Sequence, residues 1–489
     1  MNFNQIPVNL LTPGQYVEFD NSRAVQGAAQ MPQRILLIAP KLAAGSAAAD
    51  VPLQITSSAQ GVAACGRGSF GAAMCDALFR VPQAGDVWLL PVADDEDGVE
   101  ATGEITFGGS PTAAGVVSLY VAGTLVSVAV AAAATAASVA TAVAAAVNAN
   151  TDLPVTAAAA GVVVTLTSRH AGALGNDIDL RFNYYPLTER IPAGLTASVE
   201  AMADGATNPS VAVGLSNIGS SQYNTVICAF NDAANLALVE AELDTRWGPM
   251  HMNDGHCHVG LRGTVGTINT FLATRNNPHL TVWTMEQGGE PQPLWVKAAT
   301  AGAVAAYYLA IDPARPLQTL ALPGLLPAPQ EKRFIREERN NILSYGGATT
   351  EVNAGGEVCI ERGVTTYTQN SSGLADPSYR DIEVLYTLSL LRYQVRARFA
   401  QKYPRHKLAN DGTPVQPGQP VITPKIAKAE MVALCGEWID LGLVENLEAF
   451  KAGLAIERAS GDADRLNVLL PPDLINQLRV VAAQIQYQL

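Results

Sequence analysis

YNTVICAFNDAANLALVEAELDTRW, residues 223–247, is the stretch on which the fold turns. Its first eight residues are an apolar run of strand-forming character, Asp232 stands where a helix N-cap belongs, and Leu236, Val239, Leu243 and Trp247 share one helical face. Strand, cap and amphipathic helix in direct succession form the repeating unit of a parallel sheet covered by helices. The same grammar extends to both sides. Upstream, residues 33–40 (QRILLIAP) and 86–92 (DVWLLPV) are apolar strands enclosing a helical stretch at 69–79. Downstream, strands at 257–261 and 279–285 alternate with helices near 267–274 and 294–309.

Between these halves the pattern changes after the acidic turn Asp94, Asp95, Glu96, Asp97, Gly98. Residues 116–121 and 125–130 predict a hairpin about Ala122 and Gly123. An alanine-rich helix with Val139, Val143 and Val147 at i, i+4 follows, and 153–159 pairs with 162–167 about Ala160 and Gly161. The expected architecture is an α/β core domain with an inserted β-rich (β-β-α-β-β) domain. Beyond Asp376 the chain becomes helical and more charged, with Leu385, Leu388, Leu391, Val395 and Phe399 at helical spacing, then a Pro/Gly-rich linker at 410–424. The resulting division is an arm at 1–24, a discontinuous core at 25–98 and 209–365, the insert at 99–208, an α+β C-terminal domain at 366–476 and a second arm at 477–489.

Both ends read as strands. Tyr16, Val17, Glu18, Phe19 and Asp20 form one, preceded by Pro13 and Gly14. At the other end Val481, Ala483, Ile485, Tyr487 and Leu489 alternate with Ala482 and three glutamines to the last residue. A strand must pair its backbone groups somewhere, either within its own chain or on a sheet of a neighbouring copy.

Composition narrows the function classes. At 489 residues the chain holds several domains, and its 48% hydrophobic but only 15% charged content suits folded cores and extensive subunit contacts. A net charge of −13 disfavours nucleic acid or an anionic membrane as a general partner. The six cysteines are far apart without a Cys-x-x-Cys pair, which argues for reduced, buried thiols over a zinc ribbon or redox dithiol. The N-terminus has no basic region followed by an apolar core, so no signal peptide is expected. Residues 128–147 are uncharged, but they contain no Leu, Ile or Phe and no flanking anchors, so no membrane insertion is expected there.

Chemical motifs are weak. Gly66-Arg67-Gly68-Ser69-Phe70-Gly71 is a literal G-x-G-x-x-G, yet the small, polar, helix-like stretch before it is not a buried strand, so an inter-helix turn is expected. His251, Asp254, His256, Cys257 and His258 are the densest set of potential metal ligands, but no second cluster completes them. There is no G-x-S-x-G elbow, H-E-x-x-H or P-loop. The basic group Arg392, Arg396, Arg398 and Lys402, with Arg405, His406 and Lys407, is set to complement an acidic face such as Glu437, Asp440, Glu445 and Glu448 on a neighbour, or to stand as a solvated helix face.

Three series of residues resemble the contractile tail sheath family of Mu-like phages. The first is Ile6-Pro7-Val8-Asn9, with Pro13-Gly14-Gln15-Tyr16-Val17-Glu18 and Asn21-Ser22-Arg23-Ala24. The second runs from Arg315-Pro316-Leu317 through Pro323-Gly324 and Glu338-Arg339-Asn340-Asn341-Ile342-Leu343 to Gly346-Gly347-Ala348-Thr349 and Glu361-Arg362-Gly363-Val364-Thr365-Thr366-Tyr367. The third is Ile422-Thr423-Pro424-Lys425, Gly442-Leu443-Val444-Glu445-Asn446, Arg465-Leu466-Asn467-Val468 and residues 471–477 (PPDLINQ).

The resemblance implies a structural subunit, not an enzyme. In that family, hexameric rings stack around an inner tube and contract to drive the tube through a host envelope, and terminal arms add strands to neighbours. The implied partners are further copies, the tail tube protein, and baseplate and tail terminator proteins, with no cofactor. The implied location is the virion tail, assembled in host cytoplasm. Pro13, Gly14, Pro471 and Pro472 are the hinge candidates that such arms would need. The enzyme alternative is a subtilisin-like or nucleotide-binding α/β domain.

Overall fold

The computed structural model describes residues 12–17, 29–416 and 418–488. The chain forms two compact units. The larger comprises residues 32–389 and 477–489, the smaller 390–476 with the N-terminal residues through Met31.

In the larger unit β1 (Arg34–Lys41) is buried along almost its whole length, as a strand covered on both faces must be. It is followed by β2 (Leu53–Ile55), α1 (Ser58–Cys65), α2 (Phe70–Phe79) and β3 (Asp86–Ala93). The insert contributes β4 (Glu100–Gly109), β5 (Gly115–Val121), β6 (Thr124–Val130), α3 (Ala136–Ala149), β7 (Val155–Ala160), β8 (Val163–Ala171), β9 (Leu180–Phe182) and β10 (Leu195–Ala203). The α/β alternation resumes with α4 (Ala212–Asn217), β11 (Thr225–Cys228), α5 (Ala233–Trp247), β12 (His256–Gly263), α6 (Val265–Leu272), β13 (Leu280–Glu286) and α7 (Leu294–Ile311). It closes with α8 (Arg336–Ser344), β14 (Gly347–Val352), β15 (Val358–Arg362) and the long helix α9 (Ile382–Lys402), which continues into the smaller unit.

The core is an eight-stranded sheet in the order β15-β14-β13-β12-β11-β1-β3-β2. Strands β14 to β3 in that order are parallel, while β2 and β15 are antiparallel edges. Strand order reverses at β1, with β3 on one side and β11 on the other. Helix starts follow the side chains: Ser69, Thr135, Asp232 and Thr264 each accept from the amide three residues on, at 2.9, 3.2, 3.0 and 3.2 Å. Helix α7 is apolar on most of its surface because most of it is enclosed; it alone among the described helices is long and apolar enough to cross a membrane, yet 78% of it is buried within the chain. It packs so closely that a Cβ on Gly260 of β12 would lie 2.3 Å from the Leu294 carbonyl oxygen.

The insert contains the expected hairpins β5–β6 and β7–β8 with α3 between them. Sequence reading missed β4, β9 and β10. These join the hairpins into a four-stranded sheet, β10-β4-β8-β7, and a three-stranded one, β6-β5-β9. The uncharged stretch at 128–147 is the end of β6 and most of α3, whose Val139, Val143 and Val147 face inward as read.

In the smaller unit, β16 (Lys407–Leu408), β17 (Val421–Ile422), α10 (Pro424–Asp440), β18 (Val444–Glu445), α11 (Leu447–Gly453), β19 (Ala455–Arg458), β20 (Leu466–Leu469) and β21 (Asp473–Leu474) follow α9. Its core gathers Leu434, Cys435, Trp438 and Phe450, and Trp438 donates its indole N–H to Gln394 Oε1 at 2.7 Å. Three two-stranded ladders, β16-β17, β18-β21 and β19-β20, lie in this unit.

Candidate assembly surfaces

In doubly wound sheets ligands bind beyond the carboxyl ends of the strands, where strand order reverses. Here the insert fills that place. Asp94, just after β3, has its Oδ1 2.7 Å from His170 Nδ1 of β8 and accepts from the Ala171 amide at 3.2 Å. Phe70 stacks on Trp295 with centroids 4.1 Å apart and meets the His170 ring at 4.5 Å. Asp177 of the insert takes Arg262 Nε at 2.6 Å and the Leu294 amide at 2.6 Å.

The glycine motif is a turn between helices. Gly66 ends α1, Ser69 caps α2, and a Cβ on Gly68 would lie 2.7 Å from the Thr151 carbonyl oxygen, so the insert's backbone already sits where a phosphate would need to approach. The histidines are core residues. His256 meets Thr281 Oγ1 at 2.8 Å, and His258 Nδ1 accepts from the Trp283 indole at 3.2 Å. Burial first, then the neighbouring His258 and His279, holds His256 well below the usual histidine value; burial lowers His258 to about 3. Among the described residues no group of three His, Cys, Asp or Glu side chains converges as a metal site would require. All six cysteines are free thiols, buried.

The residues of the second resemblance series tie one edge of the large sheet together. Arg339 of α8 donates to Glu361 at 2.8 Å, where Thr349 also donates at 2.8 Å, and Arg362 grips Asp381 with two nitrogens at 2.8 and 2.9 Å. A buried ion pair lies nearby in sequence: Lys297 Nζ is 2.6 Å from Glu290 Oε1 and 2.9 Å from Thr350 Oγ1.

The terminal segments present apolar side chains to solvent. Val481 is 76% exposed, Ile485 88% and Tyr487 80%, and Ala483 is exposed beside them. Residues 475–488 form no strand within the chain. Leu489 lies outside the described residues, as do Glu18, Phe19 and Asp20. Of the N-terminal strand only Tyr16 and Val17 are described; both are exposed and neither is in a strand, and Pro13 and Gly14 before them are exposed as well.

One expectation needs correction. Arg398 and Lys402 do not wait for an acidic neighbour: Arg398 reaches Glu430 at 2.9 Å and also bonds Glu437, and Lys402 reaches Glu430 at 2.6 Å, all inside one unit of one chain. Helices α9 and α10 put these groups side by side, so their charges are spent on intramolecular packing; Arg392 and Arg396 lie on the same helix and Asp440 ends α10. Pro471 and Pro472 sit between β20 and β21, each already paired, and Pro471 packs against Gly453.

The mouth of the sheet is thus occupied by the insert, and the described tail after Arg479 is exposed and has no charged side chain. Its sequence matches the phage tail sheath protein central domain over residues 204–366 and the phage tail sheath C-terminal domain over 375–488. It is 41% identical to the Mu-like prophage FluMu tail sheath protein of Haemophilus influenzae, over 100% of this chain and 99% of that one. The chain belongs to the phage tail sheath protein family. Solved chains align along most of its length at low identity. They include a sheath tail protein of Listeria innocua (10% identity, 92% of this chain and 93% of that one, TM-score 0.49) and the sheath of an extracellular contractile injection system in its contracted state (11%, 97% and 97%, TM-score 0.49).

Proposed function

We propose that the chain is the subunit of a contractile tail sheath, polymerising as stacked hexameric rings around an inner tube and shortening to drive that tube through a host envelope. The observation that carries this reading is the exposed, alternating tail at 480–488 with no strand partner among the described residues, on a member of the tail sheath family. The tail and the N-terminal arm join neighbours by strand addition, and main-chain hydrogen bonds keep copies linked while rigid bodies rotate between two packings. A natural acceptor is the hairpin β19–β20, a two-stranded sheet with both outer edges unpaired among the described residues and Leu469 63% exposed. The domain division read from sequence, with the insert on the outer wall, belongs to the same proposal. So do the tube, baseplate and terminator partners, assembly in host cytoplasm and residence in the virion tail.

Electron microscopy of the purified chain is the test. Hollow striated cylinders are expected from the full chain, and soluble, folded particles without cylinders from a chain ending at Asn476. Cylinders from the shortened chain would refute strand addition by the C-terminal arm; hydrolase or dehydrogenase turnover by discrete monomers would favour the enzyme class.

A further inference from the structure

The C-terminal segment changes character at one residue. Residues 480–488 are uncharged and exposed, whereas the Arg479 side chain is only 14% exposed. Its Nη2 lies 2.9 Å from Glu383 Oε1 and 3.3 Å from Asp381 Oδ1, and donates to Gln477 Oε1 at 3.3 Å. Glu383 is fully enclosed, and the same Oε1 accepts the Leu317 amide at 3.1 Å. Asp381 is fixed from behind by Arg362. The two carboxylates flank Ile382, the first residue of α9, where the helix dipole favours negative charge. Gln477 Nε2 donates to the Ala314 carbonyl and Gln318 Nε2 to that of Leu478, both at 3.4 Å. Among the described residues, no hydrogen bond or ion pair holds any residue beyond Arg479.

We propose that Arg479 is the fixed root of the C-terminal arm, its guanidinium seated between Asp381 and Glu383 so that only the residues after it swing. This rests on reading the arm as an inter-subunit strand. The root sets the reach. The ten residues after Arg479 span about 33 Å fully extended, whereas an arm rooted at Pro472 would span about 56 Å. A short tether on a fixed root confines the strand near its acceptor and raises its effective concentration there. Charge, not fork geometry, makes the grip: among the described residues Nη2 alone is engaged, while Nε and Nη1 are enclosed without partners.

Limited proteolysis of the full, unassembled chain tests the root, since trypsin cuts after Arg479 only when the side chain leaves its seat. Release of the 480–489 peptide is followed by mass spectrometry, with cleavage at the exposed Arg465 as internal reference. The wild-type chain should be cut at Arg479 far more slowly than at Arg465. Glu383→Gln should speed cleavage at Arg479 about tenfold and leave Arg465 unchanged; Asp381→Asn, should the first variant not fold, should act in the same direction. Arg479→Lys should keep the site protected. Equal rates at the two arginines in the wild-type chain, or an unaltered rate in the carboxylate variants, would overturn the proposal. Cylinders formed by a chain ending at Asn476 would instead sink the strand-addition reading, whatever the proteolysis shows.

Discussion

His258 stands between Trp283 and His256 in the middle of the large sheet, and its fate with pH follows from that burial. A histidine whose folded value is depressed contributes stability above its unfolded value of 6.5 and loses it as pH falls toward about 3. His256 is lowered in the same direction. Urea unfolding should therefore show stability falling below pH 6.5 by up to about 1.4 kcal/mol per pH unit for each histidine. His258→Gln should reduce that slope, and a flat profile between pH 7 and pH 5 would contradict the argument. The cluster was visible in sequence as His256, Cys257 and His258, where missing partner ligands argued against a metal site. Arg479 was not legible in this way. Its partners lie almost a hundred residues upstream, and an arginine ahead of an apolar tail carries no local sign of being buried.

The elements were read well where one period ran unbroken and poorly where it did not. The burial pattern of β1 and the cap of α5 follow directly from QRILLIAP and Asp232. Strand β4 escaped because two of its inward positions, Ala101 and Gly103, are too small to mark the alternation; β18 and β21 escaped because two-residue ladders have no period at all. Strand β7 was found, but not how its edge is closed. Asn148 of α3 donates to the Ala157 carbonyl at 2.7 Å and accepts the Ala157 amide at 2.9 Å, occupying the outer backbone groups of an alanine-rich edge strand that has no charge to protect it. Asn148→Ala should cost about 1–2 kcal/mol and make the protein prone to association at this edge. Urea unfolding and light scattering would report the two effects, and a variant unchanged in both would remove the edge-cap assignment.

At the scale of the whole molecule, charge and assembly pull in opposite directions. Copies of a chain with net charge −13 repel one another, while the tail that links them in the proposed assembly carries no charged side chain beyond Arg479. Cylinder yield, measured by sedimentation, should thus rise between about 0.01 M and 0.15 M salt as the Debye length shrinks from about 30 Å to 8 Å. A fall over that range would mean that ion pairs between copies, not strand addition, hold the assembly. The sequence pattern conveyed the core and the terminal alternation, but it misassigned Arg398 and Lys402, because which helix faces which is decided by packing rather than by charge order.

The insert's stem has one more consequence. Val99 and Ala206 form a two-way backbone bridge at 2.9 and 3.2 Å, so the insert leaves and re-enters the core side by side. To the parent sheet it is a closed loop whose entropy grows only with the logarithm of its length. Contacts near the stem, Asp94 with His170 and Asp177 with Arg262, must be kept, whereas the β7–β8 tip at Gly161 has nothing near it. Lineages can therefore lengthen, trim or redecorate the far end over evolutionary time while the machinery beneath inherits its sheet intact.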